Sequence, residues 1–405
     1  MANSGHQRLQ VFLEACVMPS NRADPAPAVQ RYKAVRTETV TARERQLLTA
    51  IRNAGDISRS ELIKTTGLTG VAVFRGTEDL AARGLITIGA TVSQGRGQPS
   101  ATVSLNPRAM VSVGLSIMTD YAEAVILDFT GRVLHVRDLT IVGMPRAAIL
   151  DSLDNFLDQS LEAARLRRDA VLGVGVAIAG FFIGHGAKVN PAHELDDWAL
   201  IDLQALLEDR LGLPVMVENI AKAAAVGESL LGVGRRVGSF GYLNFAGGMG
   251  SGLVIDGELA RGWQGNAGEI GGLMEALGLP HPKLDTLRET LRLHGVETTG
   301  ITDLVTRYDD DWPGVQAWIE AFTPSFNAIA AAFRYVADCE MIVIGGRAPP
   351  ALAQRIAATI RWPEATLPVR RDAPLPAPRV VVAEAPSEST AIGAATLPLR
   401  AGYFL

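Results

Sequence analysis

The stretch Leu213–Glu228, which reads LPVMVENIAKAAAVGE, constrains the fold more than any other part of the chain. Its apolar first half predicts a short buried strand at Pro214–Glu218, and its alanine-rich second half predicts a helix that begins at Asn219. Asparagine is a favoured N-cap because its side-chain oxygen accepts from the amides of the first turn. In α/β proteins, ligands bind beyond the carboxyl ends of strands, where such helices begin. Glu218 and Asn219 are therefore predicted to lie at a ligand site, although a plain turn without a binding role fits the same pattern.

The composition is that of a globular chain with two or three domains. The 405 residues are 48% hydrophobic and 20% charged, and no apolar run reaches the roughly 18 residues that a membrane span needs. The N-terminus does not have the pattern of a signal peptide. The two cysteines, Cys16 and Cys339, lie far apart in the sequence. These features predict a cytoplasmic protein without a membrane partner.

Charge is distributed unevenly between the two ends of the chain. Residues 1–105 contain 13 Lys and Arg against 8 Asp and Glu, which gives a net charge of +5, whereas the whole chain has −5. A basic front joined to an acidic body favours an N-terminal module that meets a polyanion.

Residues 39–105 predict a winged helix-turn-helix domain, after a loose arm at residues 1–38 that is broken by prolines. Three helices are predicted: one at Thr41–Asn53, one that a capping box opens at Ser58, and one at Gly70–Arg83. Two strands follow, at Leu85–Gly89 and Ala101–Leu105. The side chains expected to face the core are Leu47, Leu48, Ile51, Leu62, Ile63, Val71, Val73 and Leu80.

In a winged helix the third helix enters the major groove of DNA by its N-terminal residues. Arg75 could read a guanine, a contact worth about 1–3 kcal/mol of discrimination. The basic tip Gly95–Pro99 could lie in the minor groove. The candidate DNA-contacting residues are Ser58, Arg59, Thr69, Gly70, Ala72, Arg75, Arg96 and Gln98. A winged helix used for protein–protein contact is the alternative.

Residues 106–405 predict a two-lobed α/β body. Strands at Met110–Ile117, Tyr121–Asp128 and Val133–Asp138 precede a helix at Pro145–Arg167 and a strand at Val171–Ile178. A weaker second copy of the pattern begins near Gly238. Two βββαβα halves with a cleft between them describe the actin-like, sugar-kinase fold, which is ribonuclease H-like in its sheets.

Three stretches resemble the ROK family, whose members are repressors, open reading frames and sugar kinases. They are SRSELIKTTGLT with DLAARGLI and GRGQP, then ENIAKAAAVGE, and then GSGLVIDGELARG with GEIGG. The resemblance covers roughly residues 40–400. It implies a winged-helix DNA-binding domain joined to a body descended from a sugar kinase.

Comparison with the family's kinases also identifies the catalytic elements that this sequence lacks. The family's kinases carry an Asp directly after the Glu-Asn pair as the base that takes the sugar hydroxyl proton, and this position is Ile220. The first phosphate hairpin, Ser116–Asp120, has lost its glycines, and the second, Ala246–Gly252, has Gly247 in place of a threonine. We therefore expect no enzyme activity, no catalytic residue and no cofactor. A sugar kinase that uses Glu218 as a substitute base is the alternative.

The sugar side of the motif is partly retained. The resemblance implies that Glu269 binds sugar hydroxyls, while Gly272 takes the place of the family's histidine and Glu194 that of an asparagine. The candidate ligand-binding residues are Gly180, Glu194, Asn219, Glu269 and Gly272. Glu269 could instead be a buried carboxylate that holds two strands together, and Trp198 is expected in the core or the pocket wall. The stretch around His281 has no cysteine, so no zinc is expected.

Together these features predict a cytoplasmic repressor of carbohydrate-related genes. It would bind double-stranded operator DNA and respond to a small sugar-like effector. The family resemblance implies a homodimer or homotetramer, because paired heads that read a palindrome need two-fold symmetry. Besides the kinase, a DNA-binding scaffold with an empty, closed cleft is a further alternative.

Overall fold

The structure is a computed structural model, and it describes residues 40–92, 100–184, 186–362, 375–385 and 390–405. The predicted arm at residues 1–38, together with Arg96 and Gln98 of the predicted wing, lies outside these ranges. No helix in the described ranges is both long enough and apolar enough to cross a membrane.

The N-terminal head has the element order predicted for a winged helix. Its elements are α1 (Ala42–Ala54), β1 (Ile57–Ser58), α2 (Arg59–Thr66), α3 (Gly70–Ala82), β2 (Ile86–Val92) and β3 (Ser100–Leu105). The strands form one antiparallel sheet in the order β1-β3-β2. Thr41 and Ser58 each close a capping box, with Glu44 and Glu61 respectively, as the sequence indicates for Ser58.

Two of the predicted core positions in the head are wrong. Ile63 is 36% exposed and Val71 is 65% exposed, whereas the other six predicted side chains are buried. Each residue of an α-helix is rotated by about 100° from the one before it, so residues that are close in the sequence can face different sides of the helix. On α2 the buried side chain is Leu62, and on α3 the buried positions begin at Val73, so Ile63 and Val71 point away from the core.

The first lobe of the body is a five-stranded sheet in the order β10-β7-β4-β5-β6. Its strands are β4 (Val111–Ile117), β5 (Ala122–Asp128), β6 (Val133–Asp138), β7 (Val171–Ile178) and β10 (Val215–Asn219), with α4 (Arg146–Ala163) and α5 (Leu203–Leu211) beside it. A short hairpin of β8 (Phe181–Phe182) and β9 (Val189–Asn190) follows β7. The strands β4, β7 and β10 run parallel, so their carboxyl ends meet at one edge.

The second lobe repeats the plan with the order β13-β12-β11-β14-β15. Its strands are β11 (Phe240–Phe245), β12 (Met249–Ile255), β13 (Glu258–Leu259), β14 (Met341–Gly346) and β15 (Arg379–Val382). Its helices are α7 (Ile270–Ala276), α8 (Leu284–Leu293), α9 (Ile301–Arg307), α10 (Val315–Tyr335) and α11 (Pro350–Thr359). The predicted two-lobed sugar-kinase fold is confirmed.

Two helices, α6 (Ile220–Leu231) and α12 (Thr390–Gly402), lie between the two sheets. Glycines bring α12 into backbone contact with the first sheet, where a Cβ on Gly175 would lie 1.8 Å from the carbonyl oxygen of Ala394. The two helices touch at Gly227, where a Cβ would lie 2.9 Å from the Cα of Gly393. On its far side α6 meets the second sheet at Gly252. The helix pair therefore leaves no room for added atoms.

The head is docked on the end of α12 rather than tethered by a loose linker. The Arg45 guanidinium donates to the backbone oxygens of Ala401 and Phe404, and the Leu405 amide donates to Thr49 Oγ1 at 2.9 Å. The ring of Phe404 also lies 5.3 Å from that of Phe129, in the first lobe. The last residues of the chain thus join the head to the body.

We expect Gly175→Ala to lower the free energy of unfolding by about 1–3 kcal/mol or more, because the new methyl group would overlap the backbone of α12. Urea denaturation measures this change. Gly248→Ala is the matched control, because nothing lies within 4 Å of a Cβ there, and it should change the value by less than about 0.5 kcal/mol. Equal effects of the two substitutions would contradict the close packing of α12.

Candidate functional site

Asn219 sits where β10 ends and α6 begins, as the sequence predicts. Its Oδ1 accepts from the amides of Ala221 at 2.9 Å and Lys222 at 3.3 Å, which caps the helix. Its Nδ2 donates to the carbonyl oxygen of Gly180 at 2.7 Å. The structure therefore brings together Gly180 and Asn219, two of the predicted ligand-binding residues. These bonds use the side-chain oxygen twice and one of the two amide hydrogens.

Glu218 is buried beside this cap, with 2% of its surface exposed. One carboxylate oxygen accepts from the Asn219 amide at 2.9 Å, and the other lies 3.4 Å from Nε of Arg261. Arg261 belongs to the second lobe, so this ion pair crosses the cleft. Both oxygens of Glu218 are engaged with the protein itself.

Lys222 is a site residue that the sequence reasoning missed. Its side chain is fully buried, and its Nζ donates to the carbonyl oxygen of Gly265 at 2.7 Å and lies 3.5 Å from Glu269 Oε1. The Glu269 side chain is 42% exposed, so it is not the buried carboxylate that the alternative interpretation required. The signal that could have revealed Lys222 is a lysine within the otherwise apolar run of α6.

Within the described residues, Glu194 and Gly272 make no hydrogen bond to Asn219, whose side-chain partners are Gly180, Ala221 and Lys222. Glu194 stands in a 3-10 turn, is about half exposed, and pairs with its neighbour His193 at 3.5 Å. Gly272 lies in α7 with open space where a side chain would be. Trp198 is 1% exposed and its Nε1 donates to the Met144 carbonyl at 2.8 Å, so it is a core residue.

The two degenerate hairpins lie at the other end of the cleft, and side chains of the protein lie close to Gly247 there. A Cβ on Gly247 would lie 3.2 Å from Asp285 Oδ2 and 3.6 Å from Thr119 Oγ1. Burial raises the pKa of the Asp285 carboxyl, and the negative charges of Asp120 and Glu194 raise it further, against Arg288 and Lys283. Ser116 bonds to Thr390 of α12, and so it is part of the buried interface and not of the cleft.

Arg347 links the two lobes at this same end. It follows β14 directly, and its guanidinium pairs with Asp120 Oδ2 at 2.9 Å and donates to Thr302 Oγ1 at 2.6 Å. The group also lies 5.1 Å from the centre of the Tyr121 ring, and its side chain is 8% exposed. Asp120 and Tyr121 belong to the first lobe, whereas Thr302 belongs to the second. Arg347 therefore bridges the lobes, and its position directly after Gly345 and Gly346 is the only local signal of this role.

A second bridge joins the lobes near the Asn219 cap. Asn266, in the second lobe, accepts from the Phe182 amide at 2.9 Å and donates to the Phe182 carbonyl at 2.8 Å. These paired bonds connect the loop before Glu269 to the β8–β9 hairpin. The cleft is thus bridged at both ends.

Metal ligands do not gather in this region. Within the described residues, no group of three or more His, Cys, Asp or Glu side chains is placed so that it could hold a metal ion.

The predicted DNA-contacting residues fall into two sets. Thr69, Gly70 and Arg75 are exposed at the start of α3, beside the half-buried Ala72. Ser58 is 6% exposed and occupied by its capping box. Arg59 is held by Glu78 at 2.6 Å and lies 4.7 Å from the Phe74 ring. In the described part of the head, the exposed candidates therefore lie at the start of α3.

Lys222→Met should lower the free energy of unfolding by about 1.5–3 kcal/mol, because it removes charge-assisted bonds to Gly265 and Glu269. Urea denaturation measures the change, and hydrogen exchange should show faster exchange of the amides at residues 265–269. Arg167→Met is the control, since that arginine is 85% exposed in a surface ion pair and should contribute less than about 1 kcal/mol. Unchanged exchange in the Lys222 variant would contradict the assigned role.

Comparison with known proteins agrees with this architecture. Residues 112–280 match the model of the ROK family. The protein y4fQ of Sinorhizobium fredii is 27% identical over 365 residues, which is 89% of this chain and 91% of that protein. The xylose repressor of Bacillus subtilis is 27% identical over 233 residues, or 56% of this chain and 59% of the repressor. The glucokinase of Streptomyces coelicolor is 31% identical over 161 residues, or 40% of this chain and 49% of the enzyme.

Solved structures give the same fold. A ROK family transcriptional regulator, described as a homologue of the E. coli MLC protein, matches with a TM-score of 0.62 at 23% identity, over 88% of this chain and 95% of the regulator. The match to the repressor and the kinase spans only about half of their lengths. The resemblance to the ROK family that was inferred from the sequence is confirmed, since residues 112–280 match the model of that family.

Proposed function

We propose that this chain is a DNA-binding transcriptional regulator whose kinase-like cleft senses a sugar-like ligand without phosphorylating it. The observation that carries the proposal is Ile220, which stands where ROK sugar kinases hold their catalytic aspartate, directly after the Asn219 cap. An isoleucine side chain cannot accept a proton, so the usual general base of phosphoryl transfer is missing.

Glu218 is a poor substitute for that base. Its two carboxylate oxygens are engaged by the Asn219 amide and by Arg261, and it is almost completely buried. A general base must come within hydrogen-bond reach of the proton that it removes. Glu218 would first have to give up its ion pair with Arg261.

The phosphate end of the cleft also opposes nucleotide binding. Kinase catalysis depends on groups that neutralise phosphate charge, mainly backbone amides, Lys or Arg, and Mg²⁺. Here the Asp285 carboxylate covers the glycine hairpin at Gly247, and Arg347 is already paired with Asp120. A triphosphate would have to displace both Asp285 and Arg347.

DNA binding is assigned to the exposed start of α3. Thr69, Gly70 and Arg75 face solvent there, and the opposite side of the head is occupied by its contacts with the end of α12. The matching relatives include a xylose repressor and a transcriptional regulator, which supports the assignment. We propose that two or four copies assemble so that paired heads read a palindromic operator.

The effector site is assigned to the Asn219 end of the cleft. Asn219, Gly180 and Glu269 lie around the start of α6, and the relatives that match part of this chain include proteins named for xylose and glucose. Neighbouring carboxylate and amide groups suit the vicinal hydroxyls of a sugar. We propose that the ligand shifts the equilibrium between two arrangements of the lobes and thereby changes the arrangement of the DNA-binding heads.

Incubation of the protein with ATP, Mg²⁺ and a panel of pentoses and hexoses should give no sugar phosphate at enzymatic turnover, because no base is available. A coupled assay for ADP measures this. The glucokinase named above serves as the positive control. Turnover by the wild-type protein would favour the kinase alternative.

The same panel in a thermal-shift assay separates a sensor from an empty scaffold. A sugar present at ~100 times its Kd should add about 2.7 kcal/mol of stability. A protein that no sugar stabilises would be a scaffold with a closed cleft.

Arg75→Ala should reduce operator affinity and relax base preference, because a guanine-reading arginine discriminates by about 1–3 kcal/mol. Arg96→Ala should instead weaken binding to all sequences and reduce the salt slope by about one unit. Binding to fragments of the protein's own promoter region, and to random DNA at several salt concentrations, measures both effects. Identical behaviour of the two variants would show that helix and wing are assigned wrongly.

A further inference from the structure

Arginines gather where the head meets the body. Arg45 and Arg52 come from α1, Arg235 from the 3-10 turn after α6, and Arg400 from α12. Three of them have ready acceptors. Arg45 bonds to the backbone at the end of α12, Arg235 to the Asn53 carbonyl, and Arg400 to Ser229 Oγ and Glu258.

Arg52 differs from the other three. Its Nη2 donates to Asn53 Oδ1 at 3.1 Å, and its guanidinium lies 4.7 Å from the centre of the Phe404 ring. Its Nε and Nη1 are buried, and neither has a hydrogen-bond acceptor among the residues that the structure describes. Over those same residues, no carboxylate lies within ion-pair distance of Arg52.

This arrangement leaves a largely buried positive charge that has no carboxylate partner among the described residues. Burial, and then the charges of Arg400 and Arg235, lower the pKa of Arg52 to about 9. That value still lies above neutral pH, so the guanidinium stays protonated and its two free donors stay unsatisfied. A buried charged group without partners destabilises a protein unless an opposite charge reaches it.

The guanidinium groups of Arg52 and Arg235 converge at one residue. Arg52 bonds to the side-chain oxygen of Asn53, and Arg235 bonds to its backbone carbonyl. Planar guanidinium donors match the oxygens of phosphate and related anions, and they bind them by two parallel hydrogen bonds. Two such groups beside each other suit a doubly charged tetrahedral oxyanion.

We propose that Arg52 and Arg235 form a binding site for a small phosphate-type oxyanion at the joint between head and body. The anion accepts from Nη1 of Arg52, and its negative charge offsets the repulsion that Arg52 meets from Arg235 and Arg400. It thereby stabilises the docked position of the head, on a surface remote in sequence from the Asn219 cap. If the proposed regulator function holds, the heads respond to this anion as well as to the cleft ligand.

The test compares the thermal unfolding of the full chain in sodium phosphate and in sodium chloride at equal ionic strength. Phosphate should raise the Tm of the wild-type protein by about 2–4 °C, because it binds the native joint. Arg52→Gln should lose most of that rise. Arg167→Gln, at an arginine that is 85% exposed, should keep it.

The outcome is decided by the difference in Tm between phosphate and chloride, so it does not depend on whether Arg52→Gln changes the basal Tm. A merely structural Arg52 would lower Tm equally in both buffers, and that result would overturn the proposal, as would a wild-type protein that phosphate does not stabilise. Titration calorimetry with inorganic phosphate, and separately with glycerol phosphate, distinguishes a free ion from a phosphorylated metabolite as the natural ligand. Neither readout involves DNA, sugar or turnover, so the proposed function and this site fail independently.

Discussion

The backbone contact between α12 and the first sheet is the constraint on which the rest of the structure depends. Gly114 and Gly175 lie on neighbouring strands, and a Cβ at either position would overlap the α12 backbone. This contact fixes α12 against β4 and β7, and α12 in turn fixes α6 through Gly227 and Gly393. Since α6 carries Asn219 at its start, the position of the candidate site follows from this packing.

The same helix pair connects the site with the head. Lys222, near the start of α6, holds the loop that contains Gly265 and Glu269. The tail of α12 carries Phe404, which lies against both Phe129 of the first lobe and Arg52 of the head. Two close-packed helices therefore connect Lys222 with the head.

Local sequence signals predicted most of the fold. The caps at Ser58 and Asn219 depend on residues three or fewer positions away, so they can be recognised without the tertiary structure. Strand and helix positions in the body were also close, for example the predicted Val171–Ile178, which matches β7. The errors at Ile63 and Val71 arose because apolar residues one position from Leu62 and two positions from Val73 were placed on the same face as those buried residues.

The candidate site was predicted only where its residues follow one another along the chain. The proximity of Asn219 and Gly180 could be predicted, because Asn219 ends one strand of the parallel sheet and Gly180 comes shortly after another. Lys222 and Arg347 were not found, because their roles depend on how the two lobes face each other. That relation involves contacts between residues more than forty positions apart, and no local pattern encodes it.

The two bridges across the cleft have a kinetic consequence. Arg347 ties the lobes at one end. At the other end the Asn266 side chain forms two hydrogen bonds with the Phe182 backbone, in addition to the Glu218–Arg261 ion pair. The two lobes can separate only when these contacts break. Separation of the lobes is therefore a concerted step, and its rate depends on the joint breaking of these contacts.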